Sequence, residues 1–189
     1  MPLYNAASAV VLQSEGDSMA SAEEIFSRRY AVSTGIALTS QLLRLTYFTC
    51  RRTETTTTVR MSCGSTAAGA TPTLARIGLY TIAANGDGTL VASTANDTAL
   101  FAATGTTYTK SWSVAYAKSV GQRLALGVLV VTAATAPQLS GIGGSTMGTE
   151  NAVLPRVAAQ LSGQADLPSS FTDASLAVSG NAVFGVVAP

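Results

Sequence analysis

The sequence contains no histidine, the side chain that most often acts as a general base near neutral pH. Without it, neither a Ser-His-Asp triad nor a Cys-His pair can form, and the commonest metal ligand is also missing. We therefore expect a protein that is not an enzyme, with no catalytic residues, no cofactor and no metal.

Charged residues are also scarce, at 11% of the 189 residues, and the formal net charge is +1. Lys110 and Lys118 are the only lysines, and the arginine doublets at 28–29 and 51–52 are isolated. Nucleic-acid binding depends on clustered Lys and Arg side chains that neutralise phosphates. The charge pattern therefore predicts no nucleic-acid partner.

Long apolar runs are missing as well. The longest, within Arg123–Thr132, is far shorter than the roughly 20 residues that a membrane-spanning helix needs. The N-terminus lacks the basic start and the cleavage pattern of a signal peptide. We expect no membrane insertion, synthesis in the cytoplasm, and release by a route such as lysis.

The chain has two cysteines, Cys50 and Cys63, on either side of the segment 51–62. Two neighbouring strands could bring them together as a disulfide. An intracellular origin favours free thiols. The sequence leaves both states open.

The segment Arg123–Thr132 is predicted to be the central strand, because it is rich in Leu and Val and bounded by turn residues. One face of this strand carries Leu124, Leu126, Val128 and Val130, and the other carries Ala125, Gly127, Leu129 and Val131. Neither face is polar, so we expect both to be covered. One should meet the core, and the face with Ala125 and Gly127 should meet a second sheet, a loop or another subunit.

Other segments also show strand patterns, and Asn85-Gly86-Asp87-Gly88 is the best hairpin signal. The predicted strands are 42–49, 55–63, 73–83, 89–93, 108–114, 123–132 and 182–187. Many short strands with frequent turns predict an all-β, two-sheet antiparallel sandwich, with a jelly roll as the first choice. The stretch 135–170 is predicted to be irregular, with a flexible glycine-rich first half and one helical turn or a poorly packed strand in Arg156–Leu167.

Residues 1–24 differ from the rest, since they are rich in Ala and Ser and show little strand alternation. We interpret them as an irregular N-terminal attachment arm, followed by a β-sandwich domain at 25–189. Ser21 and Glu24 have the spacing of a capping box, which predicts a short helix through Phe26.

Two features of the sequence are compatible with catalysis or ligand binding. A pair of carboxylates could hydrolyse glycosides without histidine, but the acids, such as Asp166 and Asp173, fall in turns rather than beside one another on a strand. Tyr108 and Trp112 share one face of a predicted strand and could stack on sugars. The same two residues are also well suited to the core.

Four blocks of the sequence carry a resemblance to a known domain. They are LRLTYFT at Leu43–Thr49, GATPTLARIGLY at Gly69–Tyr80, LVASTAND at Leu90–Asp97 and GQRLALGVLV at Gly121–Val130. From Gln41 to Gln138 the chain resembles a jelly-roll domain of virion proteins of tailed bacteriophages that infect actinobacteria. Proteins with this domain are minor tail or tail-fibre components, and sometimes decorate the head.

The resemblance implies a non-enzymatic structural protein of the virion that forms a homo-oligomer, most often a trimer. Its partners would be copies of itself, other virion proteins bound through residues 1–24, and a glycan of the host surface. The alternatives are a capsid decoration or head-fibre protein that stabilises the shell, and a carbohydrate-binding module or hydrolase. Collagen-like Gly-X-Y tracts, which often accompany the domain in minor tail proteins, do not occur in these 189 residues.

Overall fold

The structure, a computed structural model, describes residues 18–19, 22–27, 32–69, 71–143 and 152–189. Every strand pairing in it is antiparallel, which confirms the predicted all-β class. In chain order, the strands are β1 (Ser18–Met19), β2 (Ala22–Glu24), β3 (Val32–Ala37), β4 (Leu43–Thr49), β5 (Glu54–Ser62), β6 (Leu74–Ile82), β7 (Gly88–Ser93), β8 (Thr107–Lys118), β9 (Arg123–Val131), β10 (Gln138–Gly143), β11 (Ala158–Leu161), β12 (Ser170–Phe171), β13 (Ala177–Val178), β14 (Asn181–Val183) and β15 (Val186–Ala188).

These strands form a seven-stranded sheet (β12-β7-β6-β9-β4-β11-β13), a five-stranded sheet (β1-β2-β15-β5-β8) and a three-stranded sheet (β14-β10-β3). Together they form a β-sandwich-like fold of antiparallel sheets. β4 pairs with β9, β5 with β8, and β6 with β7, so one antiparallel ribbon folds over both large sheets and closes at the β6–β7 hairpin. The predicted hairpin at 85–88 is therefore confirmed, with Gly86 at a positive φ of 91°.

The main core lies between the two large sheets. Leu124, Leu126, Val128 and Val130 of β9 enter it from the seven-stranded sheet, and residues such as Val59 and Trp112 enter it from the five-stranded sheet. Fully burying a side chain of this size stabilises the fold by about 1.5–3 kcal/mol. β9 is the middle strand of its sheet, between β6 and β4.

The outer face of the seven-stranded sheet is covered by this chain's own C-terminal segment. Leu167 and Phe171 fold over Ala125, Leu129 and the strands beside them. Gly127 permits this close packing, because a Cβ added there would lie 2.9 Å from Cε2 of Tyr80. The second face of β9 thus meets a loop of the same chain.

The helix predicted through Phe26 is wrong. Ala22–Glu24 is a strand that pairs with β15, and Glu23 and Glu24 are both buried. Sheet hydrogen bonds and an ion pair outweigh the local capping signal, which acts only over one turn. The last residues of the predicted arm therefore belong to the β-domain, while residues 1–17 lie outside the described residues.

The segments predicted to be irregular are only partly so. Gln138–Gly143 is a strand rather than a flexible loop. Ala158–Leu161 is a strand, one of the two predicted alternatives, but Ala158 and Ala159 are fully buried, so it is well packed rather than poorly packed. Gly144 and Gly148 lie outside the described residues. The predicted strand at 182–187 is two short strands, β14 and β15, in different sheets, and the chain changes sheet at residues 184–185.

Candidate functional site

The predicted central-strand residues all lie inside the monomer. Leu124, Leu126, Val128 and Val130 face the main core, and Ala125 and Leu129 belong to the second cluster, with Gly127 between them. A role for these residues at a subunit interface stays a prediction.

Tyr108 and Trp112, the predicted ligand-facing pair, both pack against other parts of the domain. Trp112 is 6% exposed, and its Nε1 donates to Oγ1 of Thr56 at 3.1 Å. The ring of Tyr108 packs edge-on against Phe101 with centroids 5.6 Å apart, and its hydroxyl accepts from the amide of Ala103. Trp112 therefore does not present a ring face to solvent, and Tyr108 presents only part of its ring.

Asp166 and Asp173 are each paired with a different arginine. Oδ1 of Asp166 is 2.8 Å from Nη1 of Arg76, and Oδ2 of Asp173 is 2.9 Å from Nη2 of Arg156. Within the described ranges no group of three or more His, Cys, Asp or Glu side chains could hold a metal ion. No helix among those residues is long and apolar enough to cross a membrane.

The outer face of the five-stranded sheet is rich in hydroxyl groups and poor in charge. Thr57, Thr107, Thr109 and Ser111 are exposed on β5 and β8, with Arg60 as the neighbouring charge. Beside them is a cavity of about 220 Å³, lined by Arg60, Ser62, Thr107, Phe184 and Val186. Sequence analysis did not find this cavity, because Phe184 is distant in sequence from the strands that line it.

β8 forms an edge of this sheet, since it pairs only with β5 in the described part of the chain. Residues 112–115 of β8 lie opposite the single residue Thr57, so the strand bulges there. Val114, at this bulge, is 66% exposed, although Trp112 and Tyr116 on the same alternate positions are buried and half-buried. Val114 lines a groove of about 160 Å³ between β8 and β7.

A buried ion cluster joins the N-terminal strand β2 to the end of β8. Nζ of Lys118 contacts Oε2 of Glu23 and lies 2.9 Å from Oε1 of Glu54. The side chains of Lys118 and Glu23 are both 0% exposed. Burial by itself lowers the pKa of Lys118, but hydrogen bonds and charges from Glu23 and Glu54 outweigh it and raise the pKa.

Glu23 also binds Arg51 through its other oxygen. Oε1 accepts from the amide of Arg51 at 2.8 Å and lies 3.4 Å from its Nε. The sequence analysis missed this cluster because it placed Glu23 in the arm. A signal was present in Lys118, which lies four residues beyond the predicted strand 108–114 and falls on the same alternate positions as Trp112 when that strand is continued.

No protein-family model matches the chain, and a search of curated proteins returns no match.

Proposed function

We propose that this chain is a non-enzymatic structural protein on the surface of a bacteriophage virion, and that it assembles as a symmetric homo-oligomer, most simply a trimer. The location that we favour is the tail, where the protein would be a minor tail or tail-fibre component that contacts the host surface. The resemblance of four sequence blocks to virion jelly-roll domains motivates the proposal. The observation that carries it is the open β8 edge beside a hydroxyl-rich sheet face with few charges.

The β8 edge has few of the features that keep a strand from pairing with another chain. Such features are charges, prolines and bulges. β8 contains no proline, its Lys110 is engaged with Asp97, and its Lys118 is buried. The bulge at 112–115 exposes Val114 instead of a charge. This edge suits burial against a neighbouring subunit.

The adjoining sheet face supports the same proposal. The centres of protein interfaces are depleted in charged side chains, because charges are costly to desolvate. Thr57, Thr109 and Ser111 present hydroxyl groups, which cost less free energy to desolvate than charged groups do. Closed symmetry would bury one such surface on every subunit at once.

The oligomer is tested by analytical ultracentrifugation of the full chain. Val114→Lys should shift the protein towards monomer, because it places a charge in the groove beside β8. Val120→Lys is the matched control, since Val120 is 64% exposed at the turn after β8 and should leave the assembly unchanged. A monomeric wild-type chain at micromolar concentration would contradict the proposal.

The position on the particle is tested by antibody-gold labelling of whole virions in the electron microscope. Label confined to the tail or its end is expected. Label spread over the head would favour the alternative, a decoration or head-fibre protein that clamps neighbouring shell subunits. Such a protein should raise the heat resistance of the shell.

The cavity beside Phe184 favours a glycan as the host-surface ligand. Arg60, Ser62 and Thr107 supply polar groups next to the ring of Phe184, and sugar sites combine an aromatic wall with a few polar groups. Fluorescently labelled protein should adsorb to host cells, and Arg60→Ala should weaken this adsorption. Equal adsorption by the two proteins would show that the ligand does not bind in this cavity.

A further inference from the structure

Lys118 faces two carboxylates in an enclosed site. Its Nζ contacts Oε2 of Glu23 and lies 2.9 Å from Oε1 of Glu54. Glu23 is fully buried, and the side chain of Glu54 is 17% exposed. One buried amine therefore has two acids within reach, one without contact to solvent and one near it.

The two oxygens of Glu23 have different partners. Oε2 faces the amine of Lys118, whereas Oε1 is held by the amide and Nε of Arg51. Donors fixed on one carboxyl oxygen stabilise the negative charge that builds there when a nucleophile attacks the carboxyl carbon. The site thus places a nucleophile on one side of Cδ and oxyanion donors on the other.

We propose that Lys118 and Glu23 form an intramolecular amide bond, with Glu54 as the proton relay. This modification does not depend on the function proposed above.

The reaction starts from the ion pair and needs no oxidant or external reagent. The ammonium of Lys118 passes one proton to Glu23, which leaves a free amine beside a neutral acid. Nζ then attacks Cδ of Glu23, and the new C–N bond forms as the C=O π electrons move to Oε1. Glu54 takes a second proton from Nζ and returns it to the Oε2 hydroxyl, which leaves as water when the C–O bond breaks. Glu54 ends as the carboxylate with which it began.

Burial favours both the attack and the product. The carboxylates of Glu23 and Glu54 hold the pKa of Lys118 up, which opposes the proton transfer. Burial acts in the other direction, because the transfer converts two enclosed charges to neutral groups. The amide is neutral, so its formation removes a buried ion pair. The released water has a route out past Glu54, whose side chain reaches solvent.

The bond would join β2 and β8, which lie on opposite sides of β15 and β5 in the five-stranded sheet. Glu23 and Lys118 are 95 residues apart along the chain. A covalent bond between them would hold the N-terminal strand in the sheet during heating or pulling.

The test is the intact mass of the purified full chain. We expect it to be lower than the sequence mass by one water molecule. Trypsin should then release residues 1–28 joined to residues 111–123, because cleavage after an amidated Lys118 is blocked. An intact mass equal to the sequence mass, or a free peptide 111–118, would overturn the proposal. So would a loss of water that maps to any other peptide.

Variants separate the amide from a simple ion pair. Glu54→Gln keeps Glu23 and Lys118 but lacks the relay, so it should fold, as the fluorescence of the single tryptophan reports, and retain the full sequence mass. Lys110→Arg is the control, because Lys110 is the other lysine of β8 and pairs with Asp97. It should lose one water like the wild type. If the intact mass of every Glu54→Gln molecule were still lower by one water, Glu54 would not be the relay.

Discussion

The ring of Tyr80 lies against Gly127 on the outer face of the seven-stranded sheet, where a Cβ on Gly127 would be 2.9 Å from Cε2 of the ring and 3.1 Å from Cδ1 of Leu43. Tyr80 is fully buried, so it has no room to retreat. Glycine at 127 is therefore required by packing rather than by backbone conformation.

Gly127→Ala should lower the free energy of unfolding by about 1–3 kcal/mol, the usual cost of overpacking a core. Denaturant unfolding followed by the fluorescence of Trp112 measures this loss. In the Tyr80→Leu background the same change should cost less, since the ring that it meets is smaller. Equal costs in both backgrounds would show that the ring is not what Gly127 accommodates.

Leu126→Asp should yield no cooperatively folded protein, because it places an unpaired carboxylate in the main core, and Val128→Asp should do the same. Val120→Asp is the matched control, since Val120 is largely exposed and the change should alter stability by less than about 0.5 kcal/mol. Thermal melts by circular dichroism distinguish the outcomes. A soluble Leu126→Asp variant with a sharp melt would contradict the placement of β9.

Truncations at residues 17 and 24 should behave differently. Removal of 1–24 takes away β2 and Glu23, which leaves the buried Lys118 with Glu54 alone. Loss of one partner of a buried pair costs about 3–5 kcal/mol. The chain that lacks only 1–17 keeps β2 and Glu23 and serves as the reference, which should have the higher melting temperature. Equal melting temperatures for the two truncations would place Glu23 outside the fold.

Cys50 should make the stability of the fold depend on alkaline pH. Burial is the largest cause that raises the pKa of its thiol, to about 12. The unfolded chain releases this proton near pH 8.5, so above that pH the folded state binds more protons and stability falls, by up to about 1.4 kcal/mol per pH unit until the folded pKa is reached. Cys50→Ala should remove this part of the pH dependence. Parallel stability curves for the two proteins between pH 8.5 and 10 would contradict the assignment.

Both cysteines are free and buried in the structure. Cys63 donates to the carbonyl oxygen of Thr66 at 3.4 Å. The sequence left open whether Cys50 and Cys63 form a disulfide or are free thiols, and in the structure they are free thiols.

Local patterns identified several strands and the hairpin, because a strand buried on both faces and an Asn-Gly turn each leave a signal within a few residues. The run at 123–132 could be placed at the centre of the fold for this reason. The strand Ala22–Glu24 could not be found in this way, since its partner β15 is at the other end of the chain.

The sequence by itself determined the all-β class, the central strand and the lack of any histidine chemistry, because composition and period-two alternation are properties of short segments. Only the tertiary structure decided what covers β9, where Trp112 points and which acids meet Lys118. Those outcomes depend on strand pairings between residues far apart in the chain, and on a bulge in β8 at which Val114 is exposed. Buried charges such as Glu23 find their partners only when these pairings bring the strands together.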